Sequence, residues 1–277
     1  MKLFFFHIFF FLKSFFFSHS RQPLLALDFI ATRTDSMVPY FKEIMQTVWA
    51  VIDEGFSSAV ITPGVTTTDD VVWWFREKIQ ELGYSTWFQT STNVFRFGSR
   101  LPVSGVIQKG DMLWNDIGFT AYNLHTDTQH LGYVLRDNET DVPQGLKNGL
   151  KTANTMQDIL MAYLRVGSTG NDILASCRER MTSLGINGTF YSHPVGDDGH
   201  AAGTLIGYVN IQTPVPVRGD VKVIPSTWYS VELQATVAVP EWGGQEIEFR
   251  QEEDMYIDSN GDNFWVYGRQ TEFHLIR

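Results

Sequence analysis

A pair of similar segments constrains the fold of this chain more than any other feature of its sequence. Residues 70–84, DVVWWFREKIQELGY, align without a gap with residues 172–186, DILASCRERMTSLGI, and share Asp, Arg, Glu, Leu and Gly at matching positions. Gly64 and Gly167 precede the two segments at nearly the same distance. Amphipathic helices can share such a pattern by chance, so two unrelated helices are the alternative. An internal duplication instead predicts two helix pairs, each followed by strands, around a pseudo-twofold axis with a site between the halves.

Apolar periodicity and capping residues define four helices in this arrangement. Thr67 with Asp70 three residues later is a helix-capping pattern. The predicted helices are 35–54, about 67–83, 143–165 and 171–184. Strand-like segments with turn residues follow each helix pair. This order predicts an α+β fold in which a curved, mostly antiparallel sheet lies under a helical layer.

The charge and the cysteine content exclude several classes of partner and site. The net charge of −10 over 277 residues, without a basic cluster, argues against nucleic acid or an anionic membrane as the main partner. Cys177 is the only cysteine in the sequence, so the chain builds neither a disulfide framework nor a thiolate metal site. Any metal ion must therefore be held by His, Asp and Glu.

The first twenty residues, MKLFFFHIFFFLKSFFFSHS, differ in composition from the rest. Lys2, the apolar run and the small residues of SHS resemble a secretory signal, although Lys13 interrupts the run. The interruptions argue against a transmembrane helix. We expect a secreted or periplasmic protein if this signal is genuine, and a cytoplasmic one if the segment is a leader from a misplaced start. The domain assignment is therefore a leader over 1–20 and one catalytic domain over 21–277.

Two aspartates, Asp116 and Asp127, lie in the segment NDIGFTAYNLHTDTQH, residues 115–130, which otherwise predicts two paired strands. Pairing of the strands can bring both carboxylates to one face of the sheet. Adjacent carboxylates in an apolar sheet are unfavourable unless a cation or protons neutralise them. A solvated face of a hairpin is the alternative for this pair taken alone.

The second half of the chain contains further potential ligands. SHPVGDDGH places His193 and His200 seven residues apart, WYSVELQATV places Glu232 within an apolar strand, and FRQEEDMYI places Glu253 beside another strand. A glutamate in a buried strand needs a partner. Four carboxylates with one imidazole suit divalent metal ions, and four negative charges at one point favour two cations over one.

The order of these residues resembles the pita-bread metallopeptidases, which include methionine aminopeptidase, Xaa-Pro aminopeptidase and prolidase. NDIG followed by TD matches the family's two-aspartate hairpin, HPVGDDGH matches its His-x-x-Gly-x-x-x-His signature, and SVEL and QEED match its two glutamate strands. The resemblance covers about residues 25–277. It implies a pita-bread fold with the internal duplication.

The resemblance also implies a ligand set and two divalent ions. Asp116 would bind one ion, His193 and Glu232 would bind the other, and Asp127 and Glu253 would bridge both. Mn²⁺ is the favoured metal, and Co²⁺, Zn²⁺ and Fe²⁺ are alternatives.

The implied chemistry is hydrolysis by a hydroxide that bridges the two ions. Glu232 would carry the proton from this water to the leaving amine, and His200 would donate a hydrogen bond or a proton near the scissile amide. The chain departs from the usual family pattern after Asp127, where TQH replaces a Thr-Arg-Thr-like run, and at Ser192, where the methionine enzymes carry glycine.

The expected activity is an exopeptidase that cleaves N-terminal Xaa-Pro bonds, as an aminopeptidase or a dipeptidase. The alternatives are a methionine-type aminopeptidase, a hydrolase of another small amide, and an inactive pita-bread module that binds peptides or proteins. The expected partner is a peptide substrate, with no nucleic acid and no stable membrane span, and a homodimer is possible.

Overall fold

The computed structural model describes residues 24–99, 101–196 and 199–277. The expected leader, residues 1–20, lies outside the described residues, so the export of the chain stays a prediction. None of the helices in the described ranges combines the length and the apolar character that crossing a membrane requires.

The four helices expected from the sequence are present, each within about three residues of its predicted bounds, and a short helix precedes them. A 3₁₀ turn, Asp35–Met37, leads directly into the first of the four. The helices are α1 (Leu25–Ala31), α2 (Val38–Gly55), α3 (Thr68–Glu81), α4 (Gln144–Tyr163) and α5 (Gly170–Leu184).

The internal repeat has a structural counterpart at the start of α3 and of α5. The Thr67 hydroxyl accepts a hydrogen bond from the Asp70 backbone N–H at 3.1 Å, and the Asp70 carboxylate accepts one from the Thr67 N–H at 2.8 Å. Thr169 and Asp172 repeat this reciprocal pair at 3.1 and 3.4 Å. Each pair satisfies backbone donors that a helix N-terminus leaves unpaired. The two helices therefore begin in the same way.

The strands follow the helix pairs in two groups. In the first half they are β1 (Ser91–Phe95), β2 (Met112–Ile117), β3 (Thr120–Ala121), β4 (Leu124–His125) and β5 (Thr128–Val134). In the second half they are β6 (Asn187–Phe190), β7 (His193–Gly196), β8 (Gly199–His200), β9 (Thr227–Val239), β10 (Gln245–Ile257), β11 (Asn263–Trp265) and β12 (His274–Ile276).

One strongly curved sheet contains strands from both halves, in the order β1-β2-β5-β10-β9-β7-β8. Its neighbours pair antiparallel, while β12 lies parallel to β5, and β6 and β11 extend β9 and β10. Strands β3 and β4 form a small separate hairpin. The sheet joins the two halves where β5 meets β10. The expected α+β pita-bread fold is confirmed.

Two buried clusters form the core, one beneath each helix pair. The first packs α2 and α3 through residues such as Phe41, Val48 and Phe75. The second packs α4 and α5 through residues such as Leu160 and Cys177. Burial of this apolar surface drives the helices onto one face of the sheet. The opposite face carries polar side chains such as Asp116 and Gln129 beside apolar ones such as Trp114 and Leu131.

The alternation of side chains along β10 shows which residues reach each face. Ile247, Phe249 and Met255 belong to the core cluster beneath α4 and α5. Glu248 and Arg250, in the opposite phase, are only partly buried and form an ion pair at 2.7 Å. Since successive residues of a strand point to opposite faces, even-numbered residues of β10 lie on the polar face.

Candidate metal centre

A row of four polar side chains crosses the polar face of the sheet. Asp116 on β2 lies opposite Gln129 on β5, Gln129 lies opposite Glu252 on β10, and Glu252 lies opposite Glu232 on β9. Directly opposite residues of antiparallel strands place their side chains on the same face, about 5 Å apart. Strand register therefore brings three carboxylates from distant parts of the chain to one place.

Asp127 and His193 complete this cluster from either side. Asp127 comes immediately before β5, and its backbone N–H donates to the Asp254 carboxylate at 3.1 Å. His193 on β7 lies opposite Ser230, two residues before Glu232 and therefore in the same phase of β9. The five side chains that converge are Asp116, Asp127, His193, Glu232 and Glu252.

The ring of His193 is oriented for metal binding. Its Nδ1 donates to the Pro194 carbonyl oxygen at 3.1 Å, which leaves the lone pair of a neutral imidazole on Nε2. That buried Nε2 has no hydrogen-bond partner among the described residues. It lies 3.7 Å from Asp127 Oδ2, 3.7 Å from Glu232 Oε2 and 3.6 Å from Glu252 Oε1. Atoms that share a tetrahedral cation through bonds of about 2.1 Å are roughly 3.4 Å apart, so this set fits a divalent ion.

The carboxylates of the cluster are strongly perturbed. Burial, and then the charge of Glu252, raise the pKa values of Asp116, Asp127 and Glu232 well above their ordinary range. The guanidinium of Arg250 opposes this shift at Asp116 and Glu232. A buried group whose charged form is disfavoured gains most from a bound counter-ion. The electrostatics and the donor set therefore both suit cations.

His200 lies beside the cluster, as expected. Its ring centre is 4.3 Å from that of His193, in a perpendicular arrangement, and 5.0 Å from that of Trp87. Burial, and then the neighbouring His193, lower the pKa of His200 to about 4. Its ring is therefore neutral at pH 7 and donates one N–H. An Nδ1 or Nε2 of His200 is also near enough to Asp127 and His193 to share an ion with them.

The expectation that Glu253 belongs to this set is wrong. Glu253 is in the odd phase of β10 and points to the opposite face, where its carboxylate accepts from the Gln270 N–H at 2.8 Å and pairs with His130 Nε2 at 3.0 Å. Glu252 takes the position in the cluster. The periodicity of β10 would have identified it, because Phe249 and Met255 share the phase of Glu253, whereas Glu252 is in the polar phase.

Gln129 was also missed by sequence analysis. Its Nε2 donates to Glu252 Oε2 at 2.7 Å and to Glu232 Oε1 at 3.0 Å, and lies 3.5 Å from Asp116 Oδ2. The signal in the sequence is weak, since an amide two residues after Asp127 gains a role only through its partners on β2, β9 and β10.

Two cavities of about 190 and 150 Å³ adjoin the cluster and share Asp116, Tyr191 and Glu232 as walls. The remaining wall residues of the first are Trp87, Phe88, Asp127, His200 and Glu252. Those of the second are Trp114, Gln129, Thr189, Val209, Leu233, Gln234 and Arg250. The carboxylates Asp116 and Glu232 therefore border two small, partly aromatic spaces.

Comparison with known proteins agrees with this geometry. Residues 41–257 match the model of metallopeptidase family M24. No curated protein matches the chain in a sequence comparison.

Among solved structures, a dipeptidase from Pyrococcus horikoshii OT3 is similar with a TM-score of 0.68 and 16% identity, over 93% of this chain and 67% of that one. An X-Pro aminopeptidase from Thermotoga maritima MSB8 has a TM-score of 0.68 and 16% identity, over 90% and 66%. A methionine aminopeptidase from Rickettsia prowazekii has a TM-score of 0.61 and 15% identity, over 86% and 99%.

The chain thus spans about two thirds of the length of the first two structures and nearly all of the third. At these identities the structural likeness establishes the fold, while the family match covers most of the chain and includes all five converging residues. The expectation of a metal-dependent peptidase is confirmed at the level of the family, and the chain belongs to metallopeptidase family M24.

Proposed function

We propose that this chain is a dinuclear metallo-exopeptidase that cleaves Xaa-Pro bonds at the N-terminus of peptides, with Mn²⁺ as the working metal. The observation that carries the proposal is the set of three carboxylate oxygens at 3.6–3.7 Å from a buried, properly oriented His193 Nε2. Carboxylate and imidazole ligands of this kind suit Mn²⁺ as well as Co²⁺, Fe²⁺ and Zn²⁺.

Asp116, Asp127, His193, Glu232 and Glu252 would hold the ions. Bound divalent ions polarise a peptide carbonyl and make water acidic enough to supply the nucleophile near neutral pH.

The protein side chains position the substrate and move protons. The carboxylate of Glu232 is partly accessible and borders both cavities, so it is placed to take a proton from water and give it to the leaving amine. His200, neutral at pH 7, would donate its ring N–H to the scissile amide from the first cavity.

The choice of Xaa-Pro bonds rests on the shape of the two cavities and on the named relatives. Rigid apolar rings pack well against aromatic walls, and Trp87, Phe88 and Tyr191 provide such walls beside the carboxylates. Two of the similar structures are named as a dipeptidase and an X-Pro aminopeptidase.

The test is hydrolysis by metal-stripped protein after addition of Mn²⁺, Co²⁺ or Zn²⁺. The substrates are Xaa-Pro dipeptides, longer Xaa-Pro peptides and Met-Ala peptides, with Glu232→Gln as the inactive variant. We expect Mn²⁺-dependent release of the first residue from Xaa-Pro substrates. Preferential cleavage of Met-Ala peptides would establish the methionine-type alternative. Metal binding without cleavage of any substrate would contradict the proposal and favour a peptide-binding module.

A further inference from the structure

The Gln129 side chain lies inside the candidate metal centre rather than beside it. Its Nε2 contacts oxygens of Glu252, Glu232 and Asp116 at 2.7, 3.0 and 3.5 Å. These carboxylates come from three different strands, and Gln129 occupies the position between Asp116 and Glu252 in the cross-strand row. A neutral amide therefore donates hydrogen bonds to the oxygens that a cation would need.

The orientation of this amide is determined by Trp114. The indole N–H of Trp114 donates to Gln129 Oε1 at 2.9 Å. Because an indole nitrogen is only a donor, it pairs with the oxygen of the amide and not with the nitrogen. A flipped amide would place Nε2 against the indole N–H and Oε1 against three carboxylates, and both contacts would be repulsive. The NH₂ group, which has no lone pair to offer a metal, must face the cluster.

In both Glu232 and Glu252, the two carboxylate oxygens face different sides of the centre. Glu232 Oε2 and Glu252 Oε1 face His193 Nε2, while Glu232 Oε1 and Glu252 Oε2 accept from Gln129. On the His193 side, the imidazole Nε2 has no hydrogen-bond partner among the described residues, and the Ser230 hydroxyl donates to Glu252 Oε1. On the Asp116 side, where Asp116, Asp127 and Glu252 are close enough to share an ion, the amide contacts Asp116 Oδ2 and Glu252 Oε2, while the buried Asp116 Oδ1 has no hydrogen-bond partner among the described residues.

We propose that the Gln129 carboxamide is an internal competitor for the second cation: it occupies the Asp116 side of the centre and must withdraw before an ion binds there. The inference rests on the proposed metal centre and deepens it. An ion on the Asp116 side replaces the hydrogen bonds from Gln129, so the free energy of those bonds is subtracted from its binding. An ion on the His193 side displaces none of them.

Two substitutions at this position separate competition from a packing role. Gln129→Glu keeps the size of the side chain and turns the donor into a ligand. Gln129→Thr removes the amide. Gln251→Glu and Gln251→Thr are the matched controls, since Gln251 is equally buried in the same sheet but bonds to Gln270 on the opposite face. Circular dichroism spectra test whether each variant is folded.

The experiment is Mn²⁺ binding at controlled free concentration by equilibrium dialysis, with the electron paramagnetic resonance spectrum as a second readout. We expect the unaltered chain to bind one Mn²⁺ per chain, with a six-line signal, at concentrations where both Gln129 variants bind two that are magnetically coupled. The dissociation constant of the second ion should fall at least tenfold in Gln129→Glu and in Gln129→Thr, and should be unchanged in the Gln251 variants.

Equal binding of the second ion by the unaltered chain and both Gln129 variants would overturn the role of Gln129 while leaving the metal centre intact. If Gln251→Glu bound the second Mn²⁺ as tightly as Gln129→Glu does, added negative charge alone would explain the higher affinity. That result would also overturn the role of Gln129. Absence of Mn²⁺ binding in every protein would remove the metal centre itself, and this inference with it.

Discussion

Glu252 and Glu253 are consecutive in β10, and their carboxylates leave the sheet on opposite faces. Glu252 lies across from Glu232 and within 3.6 Å of the His193 ring, whereas Glu253 bonds to the Gln270 backbone. Two chemically identical neighbours are thus in different environments, and one strand position separates a ligand of the proposed centre from a buried structural residue.

Substitution by glutamine should reduce metal binding at Glu252 and leave it unchanged at Glu253. We expect Glu252→Gln to lose at least one Mn²⁺ per chain, because glutamine removes a charge that both sides of the centre share. Glu253→Gln should keep the full metal content and lower the melting temperature, since its partner His130 is completely buried. Metal analysis after dialysis and thermal melting measure both effects. Loss of metal in Glu253→Gln alone would show that Glu253, and not Glu252, is the ligand.

His200 and His193 should be separable by substitution, although their rings are in contact. We expect His200→Ala to retain two ions at saturating Mn²⁺ and to lower kcat by roughly 10²-fold, the range for loss of a positioned proton donor. His193→Ala should lose the ion on its side of the centre. Metal content and steady-state kinetics distinguish the two. A parallel loss of metal in His200→Ala would show that His200 is a ligand.

In the metal-free protein, the buried carboxylates should stabilise the fold less and less as the pH rises above about 4. Asp116, Asp127 and Glu232 have pKa values raised by burial, so each stabilises the fold while protonated and loses that contribution as pH rises through its folded pKa. Buried histidines have the opposite effect on stability, and they act at lower pH. The pKa of His130 is about 3 and that of His274 is about 4, both lowered by burial, so their contribution is lost only as pH falls below about 6.5.

As the pH rises from about 4, ionisation of these carboxylates should lower the melting temperature of the metal-free protein, and above about pH 6.5 the histidines no longer oppose this effect. Each 1 kcal/mol of stability lost corresponds to roughly 2–4 °C in a chain of this size. Saturation with Mn²⁺ should abolish most of the fall, because the ions neutralise the same groups. Equal slopes with and without Mn²⁺ would show that other groups control the pH dependence.

The two repeated helix caps should contribute equally to stability. Thr67→Ala and Thr169→Ala each remove the side-chain acceptor of a reciprocal cap, and each should lower the free energy of unfolding by about 1 kcal/mol. Thr182→Ala is the control, since Thr182 is exposed within α5 and alanine has the higher helix propensity there. Urea unfolding monitored by circular dichroism measures all three. If Thr182→Ala lowered the free energy of unfolding as much as the two cap substitutions do, the caps would have no special role in stability.

Much of this molecule could be predicted from local sequence rules. Helices α2 to α5 follow from apolar stripes and from caps such as Thr67 with Asp70, which act within a few residues of chain. Asp116, Asp127, His193 and Glu232 were identified through their motifs, and the structure brings all four together. That these residues bind metal ions stays a prediction.

The remaining features depend on strand register, which local rules do not specify. Gln129 meets its three carboxylates only because β2, β5, β10 and β9 align to within one residue, and Trp87 reaches His200 from a loop far away in the chain. Glu252 lies between the residues that local motifs predict and those that depend on strand register. The alternation of apolar residues along β10 was sufficient to choose it over Glu253, and the motif alone was not.

The cross-strand row has a consequence for assembly. The segment before α4 supplies Asp116 and Asp127, while the segment from α4 onward supplies His193, Glu232 and Glu252. If the chain were divided in the loop between β5 and α4, neither fragment would hold more than three of the five residues, and neither would present both walls of the cavities. Ions bound by residues of both fragments would stabilise the complex of the two. Added metal would therefore promote association of the fragments, as any ligand does that binds only the complex.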